Sequence, residues 1–102
     1  MLSSSALQRI YNSHPGLSME VKAQYIKVSY NEKKILELND NYIGIKPDVY
    51  NMLERYMKYY IETTYTVNTV EEVDRTRGYM RINCCDVGLI IDIINCIIEK
   101  LR

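Results

Sequence analysis

Apolar and polar residues alternate along the middle of the chain in the two-residue period of a half-buried strand. The alternation covers residues 26–30 and keeps its phase as far as Leu38. It leaves two alternatives for residues 25–38, which are one long strand or a hairpin that turns at the polar segment NEKK. The polar turn NDN at residues 39–41 then predicts a short return strand over residues 42–45.

The same order of signals recurs in the second half of the chain. Apolar residues in two-residue phase predict a strand over residues 65–73. Arg77 and Gly78 follow at the position of a turn, and residues 79–82 predict the short return strand. Both halves are therefore predicted to form a hairpin.

Each hairpin leads into a segment with helical spacing. Pro47 suits the first turn of a helix because its missing N–H costs nothing there, and Asp48 places a carboxylate beside the free amides. Asp86 occupies the same position in the second segment. The first helix is predicted to bury the apolar residues at i, i+3 and i+4 spacing, which are Val49, Met52, Leu53, Tyr56, Met57 and Tyr60.

The second helix is apolar over most of its circumference, and its polar residues form one narrow stripe. Such a helix is either central to the core or partly covered by another chain. The sequence leaves both alternatives open. The second alternative predicts a homodimer through helix 87–101.

These two halves align as an internal duplication. YIGIK-PDVYNMLERYMKYYIE, from Tyr42, matches YMRINCCDVGLIIDIINCIIEK, from Tyr79, with one extra residue in the second copy. We therefore predict an α+β fold in which two pseudo-symmetric strand-turn-strand-helix motifs form one antiparallel sheet with helices on one face.

The chain is predicted to be a single domain over residues 1–102, because its length supports only one core. Motif 1 covers residues 25–61 and motif 2 covers residues 62–102. The N-terminal extension, residues 1–24, holds a short helix that the serines before Tyr11 can cap, and residues 18–20 are predicted to add a further helical turn.

Charge and composition argue against several classes of function. Thirteen basic and thirteen acidic side chains cancel, so no global field favours nucleic acid or an anionic membrane. The longest apolar stretch is short and interrupted, which predicts no membrane span, and the N-terminus lacks signal-peptide features. Three cysteines without regular spacing predict reduced thiols and a cytosolic protein.

The cysteines are the strongest candidates for chemistry, and they are predicted to be structural. Cys96 lies about 15 Å along the second helix from Cys84 and Cys85, so one metal cannot bind all three. A reactive thiol at Cys84 or Cys85, just before a helix, is the alternative. Cys96 aligns with Lys58, which is predicted to be exposed to solvent on the first helix. The alignment therefore predicts that the second helix buries the face that the first helix exposes.

No other pattern supports catalysis. Phosphate-binding glycine loops, catalytic triads and paired metal ligands are missing from the sequence, and His14 is interpreted as an ordinary turn residue. We therefore expect no enzyme activity, no catalytic residue, no metal and no cofactor.

A nucleic-acid-binding protein is the alternative hypothesis. In an extended chain Arg75, Arg77, Tyr79 and Arg81 share one face, and basic and aromatic side chains together can bind a nucleic-acid strand. The neighbouring acidic residues and the zero net charge make nucleic acid less favoured than a protein partner.

The motifs YIGIKPDV and YMRINCCDV, each leading into a helix, resemble a small protein of unknown function from a filamentous virus that infects hyperthermophilic archaea. The resemblance is one of length and layout over residues 25–102. It implies a viral accessory protein that acts in the host cytoplasm through protein–protein contacts.

The favoured hypothesis is a non-enzymatic interaction module. Two related motifs leave a groove between them, and such grooves suit peptides or partner chains. The residues predicted to lie near this groove are Tyr42, Ile45, Tyr79 and Ile82.

Overall fold

The computed structural model describes the backbone of residues 2–72 and 75–102, and the side chains in those ranges except at 69–78. Over these ranges the chain forms six strands and four helices. The strands are β1 (Leu17–Val21), β2 (Ile26–Tyr30), β3 (Lys33–Leu38), β4 (Ile43–Ile45), β5 (Val67–Glu72) and β6 (Arg75–Ile82). The helices are α1 (Ser4–Tyr11), α2 (Pro47–Tyr50), α3 (Arg55–Thr64) and α4 (Val87–Leu101).

The strands form one sheet in the order β1-β2-β3-β4-β6-β5, and every neighbouring pair is antiparallel. The predicted α+β class, the antiparallel sheet and the short N-terminal helix are confirmed. Strands β4 and β6 are neighbours inside the sheet, so the two halves of the chain join there. We call this junction the β4–β6 seam.

One face of the sheet is apolar and carries the helices. Register partners such as Val28 and Leu36, or Ile43 and Ile82, share this face and are fully or almost fully buried. Buried residues from all four helices belong to the same core cluster, among them Ile10 of α1 and Ile61 of α3. The domain therefore has two layers.

Residues 25–38 form a hairpin, which settles the alternative that the sequence left open. Tyr30 pairs with Lys33, so Asn31 and Glu32 make the whole turn, and their φ angles are 48° and 70°. Positive φ at both central residues matches the twist of the flanking strands. The register between the two strands shifts at Val28 and Ser29.

The N-terminal extension was predicted correctly in one part and wrongly in the other. The Ser3 hydroxyl caps α1 by accepting a hydrogen bond from the Ala6 amide at 3.0 Å, as expected. Residues 18–20 do not form a helical turn, because they lie in β1 and pair along β2. The extension thus adds an edge strand to the sheet.

The single helix predicted after β4 is divided into α2 and α3. Leu53 between them is buried, and Glu54 begins α3 with an extended backbone. The interruption changes the helical phase, so Tyr56 and Tyr60, which were predicted to be buried, are 72% and 50% exposed. Ile61 enters the core instead.

Helix α4 lies in the centre of the core. Its buried side chains are Leu89, Ile90, Ile93, Ile94, Cys96, Ile97 and Ile98. Val87, Ile91 and Leu101 are partly buried, so most of the apolar circumference packs within the chain. The homodimer through helix 87–101 stays a prediction. The Asp86 carboxylate caps α4 by accepting a hydrogen bond from the Leu89 amide at 2.9 Å.

The duplication remains a prediction. The turn expected at residues 77 and 78 is wrong, because the backbone there belongs to β6. At the β4–β6 seam, Gly44 pairs with Arg81 and is flanked by the pairs Ile43–Ile82 and Ile45–Met80. The predicted alignment equates Gly44 with Arg81, and the residues on either side with each other. A two-fold axis between Gly44 and Arg81 would therefore give this pairing.

The hairpin turn between β2 and β3 gives a first testable prediction. Glu32 holds a φ that costs a residue with a Cβ about 1 kcal/mol, so Glu32→Gly is expected to raise the free energy of unfolding by about 0.5–1 kcal/mol. Urea denaturation measures the change. Glu32→Ala is the control, because it removes the same side chain and keeps the strain; a gain of similar size in that variant would contradict the backbone explanation.

Candidate binding surface on the open face of the sheet

Over the residues that the structure describes, no helix lies on the second face of the sheet, and we call this face the open face. Its side chains alternate along the strands with those of the core. They belong to Ser18, Glu20, Lys27, Ser29, Lys34, Glu37 and Arg81, with Gly44 at the β4–β6 seam and the tyrosines Tyr25, Tyr42 and Tyr79 among them. This is the polar layer of the domain.

Lys34 is the centre of one cluster on the open face. Its Nζ donates to the Glu37 carboxylate and, at 3.1 Å, to the Tyr79 hydroxyl. The same Nζ lies 5.1 Å from the ring centroids of Tyr25 and Tyr79, within range of a cation–π interaction with both rings. Burial lowers the pKa of Lys34, but the hydrogen bonds to Glu37 and Tyr79 outweigh it, so the pKa is raised above its ordinary value.

A second cluster lies beside the β4–β6 seam. The Arg81 guanidinium carbon is 4.2 Å from the ring centroid of Tyr42, so the two side chains stack. Gly44 lies next to them, and a Cβ there would meet the Glu37 Cβ at 3.3 Å and the Tyr42 Cε1 at 3.4 Å. Gly44 is itself buried, because the side chains of Glu37 and Tyr42 pack over its backbone.

The structure divides the four residues of the predicted groove between the two faces. Tyr42 and Tyr79 lie half-buried on the open face, whereas Ile45 and Ile82 are fully buried beneath the sheet. The two isoleucines share the core face because Ile82 pairs with Ile43, which has the same phase as Ile45. The isoleucines therefore support the β4–β6 seam from below and cannot contact a ligand on the open face.

Of the arginines considered for nucleic-acid binding, Arg81 lies on the open face at the β4–β6 seam. The backbone of residues 75–82 is extended, as that hypothesis requires, but the side chains of Arg75 and Arg77 lie outside the described residues. Of these three arginines, Arg81 is the one whose side-chain contacts the structure describes.

Sequence reasoning missed Tyr25, Lys34 and Glu37. Simple alternation places Lys34 in phase with Leu36, which is a core residue. The register shift between β2 and β3 reverses this phase, because Ser29 pairs with Lys34 while Val28 pairs with Leu36. An irregularity of this kind leaves no signal in the pattern of apolar residues.

The structure places Cys96 and Cys84 in different surroundings. Cys96 is buried, and its sulfur accepts a hydrogen bond from the Glu54 amide at 3.4 Å. The Cys84 sulfur accepts one from the Asp86 amide at 3.3 Å. Burial and the nearby Asp86 carboxylate raise the pKa of Cys84, which disfavours the thiolate that a nucleophile requires.

Metal-binding and membrane-spanning features were sought in the same ranges. Among the residues that the structure describes, no three His, Cys, Asp or Glu side chains come together in an arrangement that could hold a metal ion. Within residues 2–72 and 75–102, no helix has the length and apolar content that crossing a bilayer requires.

Comparison with known proteins yields no relative: no family model, curated protein or solved structure matches the chain. Its function is therefore argued from its own residues.

The ion pair on the open face gives a second prediction. Lys34 and Glu37 are 20% and 15% exposed, so Glu37→Gln would leave a mostly buried ammonium without its charged partner. We expect the free energy of unfolding to fall by about 1–3 kcal/mol in urea denaturation.

Glu20→Gln is the matched control for this change. Glu20 pairs with Lys22 at 3.0 Å on the same face, but the two side chains are 60% and 41% exposed. Water screens an exposed pair, so the control is expected to change stability little. Equal effects of the two substitutions would show that burial of the Lys34 pair has no energetic consequence.

Proposed function

We propose that the protein is a non-enzymatic binding module that takes up a peptide or an extended segment of a partner chain on the open face, across the β4–β6 seam. The observation that carries this proposal is an uncovered sheet face with three tyrosines, two cations and one carboxylate in mutual contact.

The chemistry of the open face suits a polypeptide. Tyrosine and arginine are enriched at protein interfaces, because each offers a large flat area together with a hydrogen-bonding group. Lys34, Glu37 and Arg81 supply both signs of charge on the same face. A peptide can match such a mixed surface with its own charged side chains and its backbone amides.

The cellular setting is part of the proposal. Resemblance in length and layout to the protein of an archaeal filamentous virus supports a viral accessory role in the host cytoplasm. Thiols that are separate and unbridged fit a reducing compartment.

A direct test starts from a displayed library of random peptides selected against the whole protein. We expect the selected peptides to shift the backbone amide resonances of residues around Gly44 and Arg81. Tyr42→Ala is expected to weaken their binding at least about tenfold, because a buried tyrosine anchor contributes more than about 1.4 kcal/mol to an interface. Fluorescence anisotropy measures the affinity.

Tyr59→Ala is the control for peptide binding. Tyr59 is 70% exposed on α3, on the opposite side of the sheet, so its loss is expected to leave the affinity unchanged. Peptides that bind Tyr42→Ala as tightly as the unaltered protein, or that shift resonances only on the helical side, would refute the proposed site.

A single-stranded nucleic acid is the second candidate ligand for the open face. Lys34 between Tyr25 and Tyr79, together with Arg81 on Tyr42, places cations beside aromatic rings, and bases stack on such rings. The charge balance of the Lys34–Glu37 pair makes this candidate weaker than a peptide, because phosphates require unpaired cations.

Anisotropy of labelled single-stranded DNA and RNA oligonucleotides tests this second candidate. If nucleic acid is the ligand, we expect binding at low salt, and the logarithm of the binding constant should fall linearly with the logarithm of the salt concentration. Arg81→Ala is then expected to lower the affinity. Glu20→Gln serves as the control, since it removes one negative charge from the same face at a distance from the β4–β6 seam, and it is not expected to reduce binding. An absence of binding at low salt would dismiss nucleic acid and leave the peptide proposal intact.

A further inference from the structure

Strand β1 lies at one edge of the sheet, and its hydrogen bonds define which groups face outward. The Lys22 amide donates to the Tyr25 carbonyl at 2.8 Å, and the Asn31 amide donates to the Gly16 carbonyl at 3.2 Å. Hydrogen-bonded pairs alternate along an antiparallel ladder, so Ser18 and Glu20 face β2 with their backbone groups. The backbone groups of Leu17, Met19 and Val21 therefore point away from the sheet.

One of these outward groups is already engaged. The Leu17 amide approaches the His14 carbonyl at 3.4 Å. Among the described residues the backbone bonds of β1 otherwise run to β2, which leaves the amides of Met19 and Val21 facing outward. An edge of this kind can pair with another strand unless charge, proline or a bulge blocks it. The register with β2 is regular and β1 has no proline.

The side chains along this edge are apolar on the helical side. Val21 is 80% exposed and Tyr11 of α1 is 49% exposed. A cavity of about 270 Å³ opens between α1 and the edge, with Leu7, Tyr11, Met19 and Val21 in its lining. The edge therefore offers an apolar surface beside unpaired backbone groups.

We propose that the occupant of this edge is β1 of a second copy of the chain, paired antiparallel about a two-fold axis through Met19. In this register the Met19 residues of the two copies exchange both of their hydrogen bonds. The Val21 amide of each copy donates to the Leu17 carbonyl of the other, which gives four bonds in total and leaves the Leu17 amides with His14.

The sequence LSMEV complements itself in this register and supports the choice of a second copy. Leu17 lies opposite Val21 of the other copy on the helical side, so apolar side chains meet. Ser18 lies opposite Glu20 on the open side, so its hydroxyl can donate to a carboxylate. A register centred on Ser18 or Glu20 is excluded because the backbone groups of these two residues already bond to β2. A register centred on Glu20 would also place the two Glu20 carboxylates opposite each other.

The pairing has a geometric consequence for the open face. Register partners in an antiparallel pair share a face, so both open faces lie on the same side of one continuous sheet of twelve strands. The contact is small, and we expect a dimer that dissociates on dilution.

Disulfide trapping tests the register directly. Hydrogen-bonded partners have Cα atoms about 5.5 Å apart, within the range that a disulfide spans. Met19→Cys, in a chain with serine at Cys84 and Cys85, is expected to form a covalent dimer under mild oxidation. Val21→Cys is the control, because its two copies would lie four residues out of register, more than about 13 Å apart, and cannot be joined.

Sedimentation of the unaltered protein tests the association itself. The mass is expected to rise from 12.0 kDa toward twice that value as concentration increases from about 10 μM to about 1 mM. Val21→Lys places a charge on the edge and is expected to hold the mass at the monomer value, whereas Tyr59→Lys on α3 is expected to leave association unchanged.

Two results would overturn the proposal. One is a monomer at all concentrations, together with equal oxidation of Met19→Cys and Val21→Cys. The other is a monomer whose Met19 and Val21 amides become protected from exchange only when library peptides are added, which would make a foreign strand the occupant.

Discussion

The burial of α4 is the constraint on which the rest of the structure depends. Seven of its side chains are buried, including Ile90, Ile93 and Ile97 at helical spacing, and together they need an apolar surface wider than one strand. The central strands provide that surface through Ile43, Ile45 and Ile82. A chain of 102 residues has helical material for only one side of a six-stranded sheet. In the described part of the chain, the helices that cover α4 lie on its side of the sheet, and the other face has none.

The polar composition of the open face follows from this arrangement. All ten aromatic residues are tyrosine, and tyrosine tolerates a half-buried position because its hydroxyl can reach a partner. The Tyr79 hydroxyl oxygen accepts a hydrogen bond from the Lys34 ammonium, and the Tyr42 ring packs over Gly44. None of the described side chains leaves a buried nitrogen or oxygen without a hydrogen bond. The open face is thus stable in water and also suited to contact another molecule.

Periodicity in the sequence predicted the elements that depend on neighbouring residues. It failed for the elements that depend on contacts between residues far apart in the chain. The strands around Val28 and Ile43 and the cap of α4 at Asp86 could be read from the sequence, because alternation and capping are short-range signals. The break before α3 could not, since Glu54 contacts Cys96 and Lys100 of α4, 42 and 46 residues away. The candidate site was predicted only in part for the same reason: Tyr42, Tyr79 and Arg81 follow the alternation, whereas Lys34 reaches the open face through a shift in register.

The internal contacts of the open face also limit what can bind there strongly. A ligand that stacks on Tyr42 must displace or share the Arg81 guanidinium, and an exposed cation–π contact is worth about 0.5–1 kcal/mol. A ligand that takes the Lys34 ammonium must separate it from Glu37, which is a larger cost because the pair is mostly buried. Binding is therefore favoured for a partner that adds to these contacts, for example by placing a carboxylate against Arg81 while it leaves Tyr42 stacked. A polypeptide can offer such a group together with apolar area, which is why the proposed function names a peptide before a nucleic acid.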